Sequence, residues 1–358
     1  MKSFSVLLLS LALGTSSTAM ANEVLSMKDW TSRLDAAFKA GKAAEISKQL
    51  DLGRLENNVL AVRNVKERQL MIRARSAYKA GKLDQAIKLY NQVPKGSDSW
   101  LEAVEEKGWA YLLKNDTEKA LAQTKTLLAP TFLPVVGSEP FLLQTLSQLK
   151  VCDYKEILET NKSFKETQRA RLVAVQDLAD KGTSESLNKA ISKVDQFPMA
   201  FSEVGEESKT LPRLFHRDRE AQKLILRMKL AEAGVPVLKQ ALEGGTKFRS
   251  LATKSIARLE ANAAAARKAL PARMKTLAQA EVDDSFRVIQ KLNLIEVETI
   301  QRVHTDQQLD KNSYSKGKFA VAASDQMVFP DDGHPWIDEL DKYQVQVNAC
   351  PSNVRRKM

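Results

Sequence analysis

The sequence predicts an all-α protein: a solenoid of helical hairpins, then further long helices, then a short extended or β-hairpin C-terminal tail. Three observations carry that expectation. Ala-aromatic-Lys-Ala-Gly-Lys is spelled twice, as AFKAGK at 37–42 and AYKAGK at 77–82. Small residues then recur thirty-four apart, Ala74 with Gly108 and Ala86 with Ala120. A fixed period of that length marks stacked helical units. Composition agrees, because 14 Gly and 11 Pro in 358 residues leave Ala, Leu and Lys dominant, and those residues favour helices.

Residues 1–21 read as a secretory signal peptide. Lys2 gives a positive start, FSVLLLSLALG is apolar but too short to span a bilayer, and Ala19-Met20-Ala21 is a small-x-small cleavage pattern. No cysteine stands at the cleavage point to carry a lipid. No later run approaches eighteen apolar residues, so the expected mature protein is soluble and periplasmic, without a transmembrane segment and open to association with the envelope.

Residues 22–168 form the hairpin region. Gly81-Lys82 and Asn115-Asp116 supply chain reversals, and EKGWAYLLKNDTEKALAQTKTLL is the clearest unit. A third unit, FLLQTLSQLKVCDYKEILETNKSF, places Cys152-Asp153-Tyr154 at its turn and Ile157 at the small-residue position. The copy at 37–46 makes a fourth, degenerate unit.

Residues 169–310 form a basic helical region. RARLVAVQDLADKG stops at Gly182; REAQKLILRMKLAEAG stops at Gly234; Pro236 then starts PVLKQALEGG. From Phe248 to about His304 the pattern reads as one or two long helices interrupted by Pro271. Sixteen Lys and Arg face five Asp and Glu between Lys209 and Lys275, a net of +11 that equals the charge of the whole chain. In residues 311–358, KGKFAVAASDQMVFPDDGHPW and YQVQVNAC alternate polar and apolar residues as strands do.

The hairpin units resemble the tetratricopeptide repeat, with Gly108, Tyr111 and Ala120 at its signature places. Val104 stands where that repeat usually has Trp, and Pro94 and Pro130 fall early for its closing Pro. FPDDGHPWIDELDKYQVQVNAC is similar to the end of exported tetratricopeptide-repeat proteins of gliding and predatory bacteria. The match lies on Phe329, Asp332, Gly333, Trp336, Asp338, Glu339, Leu340 and Tyr343. The resemblance implies an exported address and a repeat architecture, and no reaction.

Catalytic and metal patterns are weak. His216, His304 and His334 are far apart, and the two cysteines are not in a CxxC, so no zinc-ligand spacing exists. Gly244-Gly245-Thr246-Lys247 lacks the upstream glycine of a phosphate loop and reads as a helix stop. Ser313-Tyr314-Ser315-Lys316 and Ser324-Asp325-Gln326 match two motifs of penicillin-interacting enzymes, without the third. Asp331/Asp332 and Asp338/Glu339 sit in turn-forming surroundings. The expectation is a non-enzyme without cofactor or metal.

Binding is the expected role. Stacked as in the resembling family, first helices line a concave groove, and helical spacing aims Met71, Arg75 and Tyr78 at it. Glu105, Trp109 and Leu112 follow, then Leu142, Leu146 and Leu149. An apolar or amphipathic protein segment suits such a groove, which makes the chain a scaffold or adaptor in envelope assembly, motility or secretion. The alternative is a cell-wall or anionic-polymer module using 209–275, with Arg213, Arg217, Arg219, Lys223, Arg227 and Lys229 as its surface. Lipid headgroups are also anionic candidates; nucleic acid is not expected, since only Phe215 and Phe248 are there to stack on bases. Cys152 and Cys350, an even pair in an oxidising compartment, are expected to form a disulfide.

Overall fold

The computed structural model describes residues 24–60, 65–199, 201–305, 340–347 and 350. The expected signal peptide, the serine motifs at 313–326 and the histidine and aromatic residues at 329–336 lie outside them. Among the described residues the fold is all-α, 77% helical, with thirteen α-helices and one two-stranded sheet.

Four hairpins can be traced. They are α1 (Met27–Lys39) with α2 (Ala43–Gln49), α4 (Val65–Lys79) with α5 (Leu83–Tyr90), α6 (Trp100–Leu113) with α7 (Thr117–Leu127), and α8 (Glu139–Lys150) with α9 (Tyr154–Lys181). α3 (Leu52–Leu60) lies between the first two. All four reverse through the same device. Gly41, Gly81, Asn115 and Cys152 adopt φ of 64°, 71°, 59° and 61°. The next amide then bonds back to a carbonyl five residues earlier, Lys42 to Ala37, Lys82 to Ala77, Asp116 to Tyr111 and Asp153 to Gln148, at 2.9–3.1 Å. This left-handed residue closes each first helix and satisfies its last carbonyls. The doubled Ala-Gly-Lys is therefore a helix-ending turn.

Gly108 shows why the units stack. A Cβ there would lie 2.6 Å from Leu143 Cδ2 and 3.3 Å from Gln123 Cβ. So α6 touches α8 of the next hairpin and α7 of its own without a side chain between. Ala120 is fully buried on the facing helix.

The first hairpin does not continue this stack. It packs on α12 (Arg219–Glu243), with Trp30 and Leu34 in one core with Ile225, Leu230 and Leu238. The Trp30 indole lies against Gly234, whose added Cβ would come within 2.6 Å of it, and donates its Nε1–H to the Gln49 carbonyl at 3.0 Å. Gly234 is therefore a contact and not a stop: α12 runs on through Pro236, whose ring faces solvent. Likewise α13 (Arg249–Thr305) passes Pro271 without interruption, 57 residues long. At 1.5 Å per residue it extends about 85 Å. Tertiary packing along α9 and α12 compensates the single hydrogen bond each proline removes. The expected boundary at 168/169 falls inside α9, which ends on Gly182 at φ 75°.

Beyond α9 lie α10 (Glu185–Lys193), the sheet of β1 (Leu25–Ser26) antiparallel to β2 (Gln196–Phe197), and α11 (Phe201–Val204). Two 3₁₀ turns, Gly205–Thr210 and Phe215–Arg217, lead into α12. The tail returns to the hairpins. Leu340 joins the core of α4–α6, Lys95 donates to its carbonyl at 2.6 Å, and the Asp341 amide donates to Thr126 Oγ1 at 3.0 Å. Buried Lys107 pairs with Asp341. Val347 N–H then meets Glu118 at 3.2 Å, and Cys350 reaches Cys152 with a Cα–Cα distance of 5.4 Å, bonded as a disulfide. None of residues 340–347 is in a strand. Among the described residues no helix is long and apolar enough to cross a membrane.

Candidate partner groove

The groove face of the hairpins is built from Arg75 and Tyr78 on α4, Glu106 and Trp109 on α6, and Glu139 and Leu142 on α8. They line a pocket of about 560 Å³. Its far wall is the chain's own α13, through Asp284, Arg287, Val288 and Lys291. Beyond this pocket the groove is filled: Val288, Leu292 and Ile295 of α13 form a core with Phe141, Leu142, Ile157 and Phe164. The amphipathic helix that the groove suits is thus partly supplied in cis.

Of the nine residues expected to face a partner, Arg75, Tyr78, Trp109 and Leu142 line the open pocket. Leu146 and Leu149 are half-buried beneath α13. Three expectations are corrected. Met71 is buried among Ala74, Ala86 and Trp100. Leu112 is buried with Ala120 and Leu143. Glu105 is buried in the wall of a second cavity beside Arg213 and does not line this pocket. Each first helix packs against its own second helix and the next hairpin, so the free stripe is narrower than spacing alone suggested.

Within the pocket Arg75 chelates Glu106 at 2.6 and 2.8 Å and also reaches Glu102 at 3.0 Å. The Tyr90 hydroxyl donates to Glu106 at 2.7 Å; burial, with the carboxylate beside it, pushes its pKa well above the usual tyrosine range. Burial raises Tyr78 too. The Trp109 Nε1–H is buried and has no hydrogen-bond partner among the described residues.

The basic segment does not form the expected surface. Arg213 pairs with Glu105 at 3.3 Å, Arg217 with Glu102, and Lys223 and Arg227 with Glu56 at 3.5 and 2.6 Å. Lys229 is buried, donating to the Ser192 carbonyl at 3.1 Å. Arg219 alone of the six is exposed. These cations join the α12 half to the hairpins, and partners from α3 and α6 could not be seen in a local charge count.

Where the halves meet lies a second cavity of about 650 Å³ with Trp100, Phe132 and Phe215 in its walls and Glu105, Arg213 and His216 among its polar groups. Burial pushes the Glu105 carboxyl up to about 8 against the pull of Arg213, with Glu139 adding to the rise. Burial, and Arg217 beside it, lower His216 to about 4, so it is neutral near pH 7.

No family model matches the chain, and no curated protein or solved structure matches it either.

Proposed function

We propose that this chain is an exported helical-repeat scaffold that holds an envelope protein through the pocket between its hairpins and α13. The observation that carries this reading is the open stretch of groove around Trp109, with aromatic walls and an amphipathic helix already lying in the rest of the same groove. A partner segment with one large apolar side chain fits it. The tail's disulfide and the Lys107–Asp341 pair brace the hairpins from the other side. The test is capture by a photoactivatable residue at Tyr78 in envelope fractions. A product lost with Trp109→Ala supports the reading, and capture unaffected by that substitution removes it.

A second reading keeps anionic envelope polymer as the ligand, on different cations. Arg249, Lys254, Arg258, Arg267 and Lys268 are exposed along the first half of α13, and none is in an ion pair among the described residues. Polymer binding there weakens steeply with salt, whereas groove binding barely changes. Cosedimentation of Arg258→Glu/Arg267→Glu/Lys268→Glu with acidic polymer at low and high salt separates the two.

A further inference from the structure

The cavity where the α12 half meets the hairpins, about 650 Å³, has the size of a small-molecule site. Such sites are mostly apolar, with a few convergent polar groups. Both halves supply its walls: Trp100, Leu101 and Phe132 from the hairpins and their loops, Leu211, Arg213 and Phe215 from the segment before α12. Trp100 and Phe132 pack edge to face, their ring centres 5.7 Å apart. Thr131 and Ser202 are exposed and mark its open side.

Arg213 is the polar group of these walls that the fold leaves with donors to spare. A guanidinium carries five N–H donors. Among the described residues this one makes a single hydrogen bond, from Nη1 to Glu105 at 3.3 Å. The side chain is 31% exposed in the cavity wall. Gly137 makes room for it, since a Cβ there would lie 2.9 Å from Nη1. Buried Glu105 shares a hydrogen bond with Glu139 and keeps its proton up to about pH 8. Near neutrality Arg213 therefore faces a carboxylic acid and not a carboxylate.

The other charges of the wall are Lys95 and Arg217 against Asp98 and Glu102, which balance. His216 is neutral there. Behind the wall, Glu281 of α13 is held by Arg171, and Glu139 of α8 lines the groove pocket. The walls thus carry one excess positive charge, on Arg213. We propose that this cavity binds a small aromatic monocarboxylate, its carboxylate on Arg213 and its ring against Trp100, Phe132 and Phe215. A guanidinium matches a carboxylate in shape as well as in charge. A cation would bring like charge to Arg213. The site shares no lining residue with the groove pocket, so it stands apart from the groove reading. Glu105 sets its pH dependence. Once ionised above about pH 8, it takes Arg213 for itself and repels the ligand.

The test is calorimetric titration of the intact, oxidised chain with three probes of one ring system: 1-naphthylacetate, 1-naphthylacetamide and 1-naphthylmethylamine. The carboxylate should bind with one-to-one stoichiometry at pH 7, and the amide and amine at least about tenfold more weakly. Arg213→Met should weaken the carboxylate by a similar factor and change the amide little, a split that a general loosening of the fold would not give. Ser202→Trp, at the open side, should weaken both, and Trp109→Ala in the groove neither. From pH 7 to 9 the affinity of the parent for the carboxylate should fall about tenfold, while that of Glu105→Gln stays level. Should Arg213→Met fail to fold, the three probes and the pH series on the parent decide. Equal binding of carboxylate and amide, carboxylate binding untouched by Arg213→Met, or no binding of any probe at millimolar concentration overturns the proposal.

Discussion

Arg171 on α9 and Glu281 on α13 form a buried ion pair, Nη2 to Oε1 at 2.5 Å. Glu281 also accepts the Arg213 backbone N–H at 2.7 Å, and Arg171 donates to the carbonyls of Lys209 and Leu211 at 3.0 and 3.1 Å. One carboxylate therefore holds together the long helix, the last hairpin and the segment that begins the basic half. Glu281→Ala leaves a buried guanidinium without its counter-ion, at a cost of about 3–5 kcal/mol. Arg171→Met/Glu281→Leu together should recover only part of that loss, because the Arg213 N–H and the Lys209 and Leu211 carbonyls lose their partners. Urea denaturation of the three variants checks it, and a single substitution costing no more than a surface change counts against the pair's role.

Stability should fall as pH rises above neutrality, because of Glu105. Its carboxyl titrates at about 8 in the fold, against an ordinary value of 4.5, so between those values the folded chain holds the extra proton. That contribution is complete below pH 4.5 and gone above 8. His216 works the other way and only lower: at about 4 in the fold against 6.5, its contribution is present above 6.5 and lost as pH falls to 4. Between pH 6.5 and 8.5 Glu105 dominates. The melting temperature of the parent should drop over that range and that of Glu105→Gln should stay level; parallel slopes would refute this.

The hairpin turns give a graded series. Gly81→Ala forces a Cβ into left-handed backbone at a cost of about 1–2 kcal/mol, although open space surrounds it. Asn115→Gly, in the same conformation, should be neutral or stabilising. Gly108→Ala meets Leu143 and overpacks the stack by about 1–3 kcal/mol. Thermal melts giving the same shift for all three would deny that the positions do different things.

These same residues show what was legible. The turns and close contacts between neighbouring hairpins are local or recur at a fixed spacing, so Gly81, Asn115, Gly108 and Ala120 declared themselves. Gly234 and Pro236 misled, because a stop signal and a packing contact look alike until Trp30, two hundred residues upstream, is seen lying on the glycine. The groove was legible through Tyr78 and Trp109, but its occupation by Val288 and Leu292 was not. A helix with two apolar faces does not say which neighbour each face takes. The basic segment failed for the same reason: Glu56 and Glu102 neutralise it from far away in sequence.

The disulfide between Cys152 and Cys350 closes a span of 198 residues. Chain entropy puts the gain at about 5 kcal/mol at most. The intact mass of the unreduced, denatured protein after alkylation should show no modified thiol, and two after reduction. Cys350→Ser should lower the melting temperature and free the 340–347 segment to proteolysis. Two alkylated thiols before reduction would contradict the bond.

The most direct test of the account places one photoactivatable residue at Tyr78 in the groove and, separately, one at Arg258 on the basic helix, and irradiates envelope fractions at low and high salt. The groove reading predicts a defined protein adduct from position 78 at both salt concentrations, abolished by Trp109→Ala, and none that survives salt from position 258. Adducts from position 258 alone, vanishing at high salt, would contradict it and leave the chain as a polymer-binding module.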